Sequence, residues 1–186
     1  MAGVVQQLPA LLVVVVGVLA SYVVGAATER ARWRREQAAW RADQRVQAYA
    51  NYGYAIKDVY VQCRRAFALR SQPADGDRAA YRDALDELGK LTHERTAKWE
   101  PVLLLGSPET VAAGHAWHRR VYQVELFARG ERTDTGQWDH VLDDVIACRS
   151  RFYAAARKDL GIEGELPAGV PWEAEAVPVP APAAAA

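Results

Sequence analysis

Twenty consecutive residues, Leu8 to Ala27 (LPALLVVVVGVLASYVVGAA), carry no charged side chain. A helix rises about 1.5 Å per residue, so this run is about 30 Å long, the thickness of a bilayer's hydrocarbon core. Its Leu and Val side chains favour insertion by about 3–7 kcal/mol before polar groups are counted. Pro9 falls in the first turn, where its missing N–H costs nothing. A cleaved signal peptide is the rival reading, since Val24-Gly25-Ala26 offers small residues to a peptidase. Residues 1–8 hold no Lys or Arg, however, and the run is long for a signal core. The sequence therefore predicts a short tail over 1–7 and an uncleaved transmembrane helix over 8–27.

The flanks set the orientation. Arg30, Arg32, Arg34, Arg35, Arg41 and Arg45 follow the run, against Glu29, Glu36 and Asp43. Basic residues stay on the cytoplasmic side and acids count little, so the C-terminal part is expected in the cytoplasm of a single-pass plasma-membrane protein. That compartment is reducing, so Cys63 and Cys148 are expected as free thiols. Gly17, Ser21 and Gly25 recur every four residues on one face of the span, a spacing that lets two transmembrane helices approach and form a homodimer.

Residues 28–45 read as a basic helical stalk and 46–162 as a bundle. From Glu29 to Leu69 there is no proline, and Gly53 is the one glycine. Val46, Tyr49, Gly53, Ile56, Tyr60, Cys63 and Phe67 alternate steps of three and four, which marks a buried helical stripe. After the break at Ser71–Gly76, Asp77 caps a second helix expected to reach Lys98, with Tyr81, Ala84, Leu85, Leu88 and Leu91 inward. Pro101 disfavours helix at Glu100, which leaves 102–105 as a connector. Gly106-Ser107-Pro108-Glu109 then combines a helix stop with an N-cap, a first-turn proline and an acid at the positive helix end. A third helix carries Gly114, Trp117, Val121, Val124 and Ala128. A fourth, after the polar turn 130–136, carries Trp138, Val141, Val145, Cys148, Phe152 and Ala155 and ends at Gly161-Ile162. Four amphipathic helices on short loops make an all-α fold, an antiparallel four-helix bundle.

The stalk is about 25 Å long. Trp33 lies about 9 Å beyond Ala27, at the depth where aromatic residues meet lipid headgroups. Trp40, about 20 Å out, packs on a partner unless the stalk leans onto the membrane. Arg30, Arg32, Trp33, Arg34, Arg35, Trp40, Arg41 and Arg45 are therefore the candidate interface, toward anionic lipid or a protein partner. Residues 163–186 hold five of the nine prolines and four Glu without Lys or Arg, and read as a disordered acidic tail.

The Trp/Arg-rich stretch after the span, Leu104-Leu105-Gly106-Ser107-Pro108-Glu109 and Lys158-Asp159-Leu160-Gly161 resemble segments of uncharacterised single-span membrane proteins from bacteria with GC-rich genomes. The resemblance covers most of residues 8–162. It implies an architecture and a membrane location, and brings no catalytic or binding site with it.

Chemistry-bearing motifs are sparse. His115 and His118, one turn apart, are the nearest approach to a metal pair, but no Glu-x-x-His pair on two helices joins them. His93-Glu94 lacks the second His of a zincin. Cys63 and Cys148 fall on core stripes, where they read as small buried hydrophobes, with a redox pair as the alternative. Lys and Arg balance Asp and Glu at 23 each, and the arginines adjoin the membrane run, so nucleic acid is not an expected partner. No catalytic residue, cofactor or metal is expected. The reading is a non-enzymatic, membrane-tethered scaffold for a cytoplasmic protein, with lipid or membrane-stress sensing through the stalk as the alternative and a metal or redox enzyme a distant third.

Overall fold

The computed structural model describes residues 8–71 and 77–164, with side chains described in those ranges except at 8–28, 31 and 77. They form α1 (Leu8–Ser71), α2 (Asp77–Leu105), α3 (Pro108–Arg129), a 3-10 turn (Thr135–Gln137) and α4 (Trp138–Asp159). No strand occurs among the described residues. Nor is any helix among them long and apolar enough to cross a membrane. The side chains of the apolar run 8–27, with Gly17, Ser21 and Gly25, lie outside the described residues, as does most of the tail over 163–186. The structure therefore lends the expected span no support of its own.

The chain divides into two compact units, Met1–Asp43 and Gln44–Ala186. In the first, residues 8–43 are helical, and the side chains described there are exposed except for the partly buried Gln37. Arg32 pairs with Glu36 at 2.9 Å, and Arg41 Nη2 donates to Gln37 Oε1 at 3.2 Å.

The second unit is an up-down-up-down bundle, and its direction can be followed in residue pairs. Going up α1, partners on α4 descend: Tyr49 meets Phe152 edge-on, and Phe67 stacks on Trp138 with centroids 3.9 Å apart. Partners on α2 descend as well, from Leu105, whose carbonyl accepts from Arg45 Nε at 2.7 Å, to Ala84, whose carbonyl accepts from Gln62 Nε2 at 2.9 Å. Partners on α3 ascend instead. Tyr52 Oη donates to the Gly114 carbonyl and Arg70 Nη1 to the Phe127 carbonyl. So α1 and α3 run parallel across the bundle diagonal, with α2 and α4 antiparallel between them.

The predicted core stripes hold, with local departures. Tyr49, Ile56, Tyr60 and Cys63 on α1, and Trp117, Val121, Val124 and Ala128 on α3, are buried. Tyr52 and Val59 are buried as well, because α1 faces three other helices and needs a wider apolar face than one stripe. Val46 is 43% exposed, and on α4 Ala156 rather than Ala155 closes the core. Gly114 makes room for the aromatic centre: a Cβ there would lie 2.6 Å from the Trp99 ring.

One helix boundary differs from expectation. α2 runs through Pro101 to Leu105 instead of stopping near Lys98. An interior proline costs about 3 kcal/mol. Continuing the helix buries Val102 completely, worth about 1.5–3 kcal/mol, and packs Leu105 on the core. The last turn closes with the Gly106 N–H on the Val102 carbonyl at 2.9 Å. The other boundaries follow local chemistry. Ser107 Oγ accepts from the Thr110 N–H at 3.2 Å, with Pro108 at the first position. Gly161, at φ 69°, ends α4 in a Schellman motif, the Ile162 N–H on the Arg157 carbonyl and the Gly161 N–H on that of Lys158.

Cys63 and Cys148 are buried free thiols. The register of α1 against α4 sets Cys148 at least one and a half turns from the level of Cys63, about 9 Å or more along the axis. They share the core without facing each other.

Candidate functional site: exposed stalk, polar clamp and buried charge

The stalk residues divide into two groups. Arg30, Arg32, Trp33, Arg34, Arg35, Trp40 and Arg41 are exposed, with Trp33 at 61% and Trp40 at 63%. Pairs such as Arg32–Glu36 are worth only about 0.3–0.5 kcal/mol at such a surface, so little holds these side chains in place. Arg45 behaves differently. Its Nε is spent on the Leu105 carbonyl, and its Nη1 lies 3.6 Å from Asp159 Oδ1.

Arg45 is one arm of a clamp at the end of the bundle where Gln44 begins the unit. Asp159, at the last turn of α4, accepts from Tyr49 Oη on α1 and from the Ser107 N–H at 3.1 Å. Burial, then the hydrogen bond to Asp159, push the Tyr49 phenol well above its ordinary value, so it remains a donor. The clamp joins the two short segments, 104–109 and 158–161, that stand out in the sequence. Beside it Leu103 and Leu104 turn outward, and Leu104 is 81% exposed. Asp159→Ala removes the acceptor for all three partners. The expected loss is about 2 kcal/mol in urea unfolding, with faster amide exchange around Tyr49 and Ser107 and little change near Gly130.

A charge cluster inside the bundle was not anticipated from the sequence. Arg95 on α2 and Glu125 on α3 have side chains only 3% and 5% exposed, with Arg95 Nη2 4.0 Å from Glu125 Oε2. Glu125 Oε1 is taken by Arg129, through Nε at 3.0 Å and Nη2 at 2.8 Å. The field of this cluster reaches α1 and α3. Burial, and after it Glu125, push the Cys63 thiol up, so it is an inert hydrophobe. Burial pushes the Tyr52 phenol up against the opposing Arg95 charge. The signal for Arg95 was present in the spacing: Ala84, Leu88, Leu91, Arg95, Trp99 and Val102 keep three- and four-residue steps, with one charge on an apolar stripe.

His118 sits beside this cluster, while His115 is exposed. Burial, then Arg95 and His115, lower His118 from 6.5 to about 4. The ring is neutral in the fold and gains a proton on unfolding, so its share of stability is complete above about pH 6.5 and is lost as pH falls toward 4. For a half-buried ring, with screening allowed for, that share is about 1–2 kcal/mol. Urea melts at neutral and mildly acid pH should show the loss, and His118→Gln should reduce it. Among the described residues no group of three or more His, Cys, Asp or Glu is placed to hold a metal ion.

By its fold the described chain is an antiparallel four-helix bundle. Comparison with protein-family models, curated proteins and solved structures returns no match.

Proposed function

We propose that this chain is a membrane-anchored helical-bundle protein that tethers a cytoplasmic protein partner and has no catalytic role of its own. Residues 8–27 serve as the anchor in the plasma membrane, with the bundle on the cytoplasmic side. The observation that carries the reading is the stalk. Trp33 and Trp40 are large, rigid aromatic groups held largely exposed among arginines, directly after an uncharged run of bilayer length. Trp and Arg are the side chains that most often dominate protein interfaces. Leu103 and Leu104 add a second exposed apolar point on the bundle.

A second reading draws on the same arginines. Arg30, Arg32, Arg34, Arg35 and Arg41 near an anionic leaflet gain about 1 kcal/mol each, reduced by Glu29, Glu36 and Asp43. On that reading the stalk senses lipid, and the Gly17, Ser21 and Gly25 face pairs two copies. Photo-crosslinkers placed at positions 33 and 40 in cells, followed by mass spectrometry, separate the two. A reproducible foreign protein, lost when Trp40 or Arg41 is replaced by Ala, supports the tether. Crosslinks to lipid or to the same chain alone reject it in favour of sensing.

A further inference from the structure

The C-terminal end of α4 forms a groove that neither the clamp nor the buried charges use. It has a volume of about 700 Å3 and is lined by side chains within residues 150–158 together with residues 161–164. Gly161, at φ 69°, turns the chain back after the helix, and Arg157 Nη2 donates to the Glu163 carbonyl at 3.0 Å, which fixes 161–164 as one wall. Among the described residues that line the groove, Arg151, Arg157 and Lys158 are cationic and Glu163 alone is acidic. Ala154 and the exposed Ile162 supply apolar surface. Cations beside apolar surface in a concave site suit an acidic peptide that also carries a hydrophobic side chain.

The chain itself supplies such a peptide directly after the groove. Residues 165–186 contain Glu165, Glu173 and Glu175 and no Lys or Arg, and Trp172 adjoins two of these acids. Gly164, the last described residue, belongs to the groove wall, and Trp172 follows eight residues later. An extended, Pro-containing chain covers about 3.1 Å per residue, so Trp172 can reach about 25 Å from that wall. The stretch of α4 from Ser150 to the turn at Gly161 is roughly 16 Å long, well within this reach. A tether this short raises the local concentration to about the millimolar range, so a few surface contacts suffice for docking. We infer that residues 172–175 dock in this groove in cis, Trp172 beside Ala154 and Ile162, with Glu173 and Glu175 among Arg151, Arg157 and Lys158. A foreign acidic peptide must displace this segment, so the tail is a built-in competitor for the site. The inference concerns the bundle and its tail, and holds with or without a membrane anchor.

The test uses the full chain in uncharged detergent micelles, with photoreactive benzoyl-phenylalanine in place of Trp172 and mass spectrometry of the irradiated product. Position 172 should join to residues 150–162 of the same chain, which a mixture of isotopically light and heavy chains distinguishes from joining between copies. The yield should fall about fivefold when Glu173→Lys and Glu175→Lys reverse the charge of the tail and leave the bundle untouched. It should fall as far in about 1 M salt, where the screening length is about 3 Å. Adding Arg151→Glu and Lys158→Glu, both at exposed positions, to the reversed tail should restore the yield. Equal yields from the native and the reversed tail, crosslinks spread over other elements, or crosslinks only between copies would overturn the docking.

Discussion

Glu125→Ala is expected to lower the stability of the bundle by about 3–5 kcal/mol, the cost of leaving one member of a buried charge pair without its partner. For a domain of this size that is a fall of about 10 °C in melting temperature. The two guanidinium groups respond differently. Arg129 is a third exposed and can turn to water, whereas Arg95 is 3% exposed and cannot. Arg95→Met should cost far less, because Glu125 keeps both bonds from Arg129. Combining Arg95→Met with Glu125→Ala should recover most of the loss, since the stranded charge is then gone. Urea denaturation of the two single variants and the double variant measures the coupling. Additive losses would show that Arg95 and Glu125 do not act as a pair.

The second large effect is expected at Phe152. Its ring is fully buried and meets Tyr49, Tyr52, Trp117 and Tyr153, so it joins α1, α3 and α4 at one point. Phe152→Ala should cost about 3–5 kcal/mol through the cavity and the lost aromatic contacts. Trp33→Ala and Trp40→Ala serve as the contrast. Both rings are exposed, so either change should shift unfolding by no more than about 0.5 kcal/mol. If the stalk tryptophans serve a partner, the same two substitutions should abolish its capture while the bundle melts as wild type does.

Much of the bundle was legible because its information is local. Tyr49, Ile56, Tyr60 and Cys63 repeat at helical spacing, and that repeat marks a buried face wherever the rest of the chain lies. Ser107-Pro108 and Gly161-Ile162 end and start helices through bonds to backbone groups a few residues away. What was missed depends on partners far along the chain. Pro101 reads as a helix stop, yet burying Val102 against the core carries α2 past it. Arg95 lies on an apolar stripe in plain view, but its counter-charge comes from Glu125, thirty residues on and on another helix, where no periodicity points. Arg45 reads as the last stalk arginine, while its partners Leu105 and Asp159 come from the far ends of α2 and α4. The stalk residues Arg30, Arg32, Trp33, Arg34, Arg35, Trp40 and Arg41 are exposed, and their role as an interface rests on the sequence around them.

Residues 8–27 are proposed to anchor this bundle in a membrane. Alkaline carbonate extraction of membranes from cells making the full chain tests it most directly, with a chain lacking 8–27 treated alongside. The full chain should stay in the membrane pellet after washing, and the shortened chain should be released. Full release of the intact chain by carbonate would contradict it.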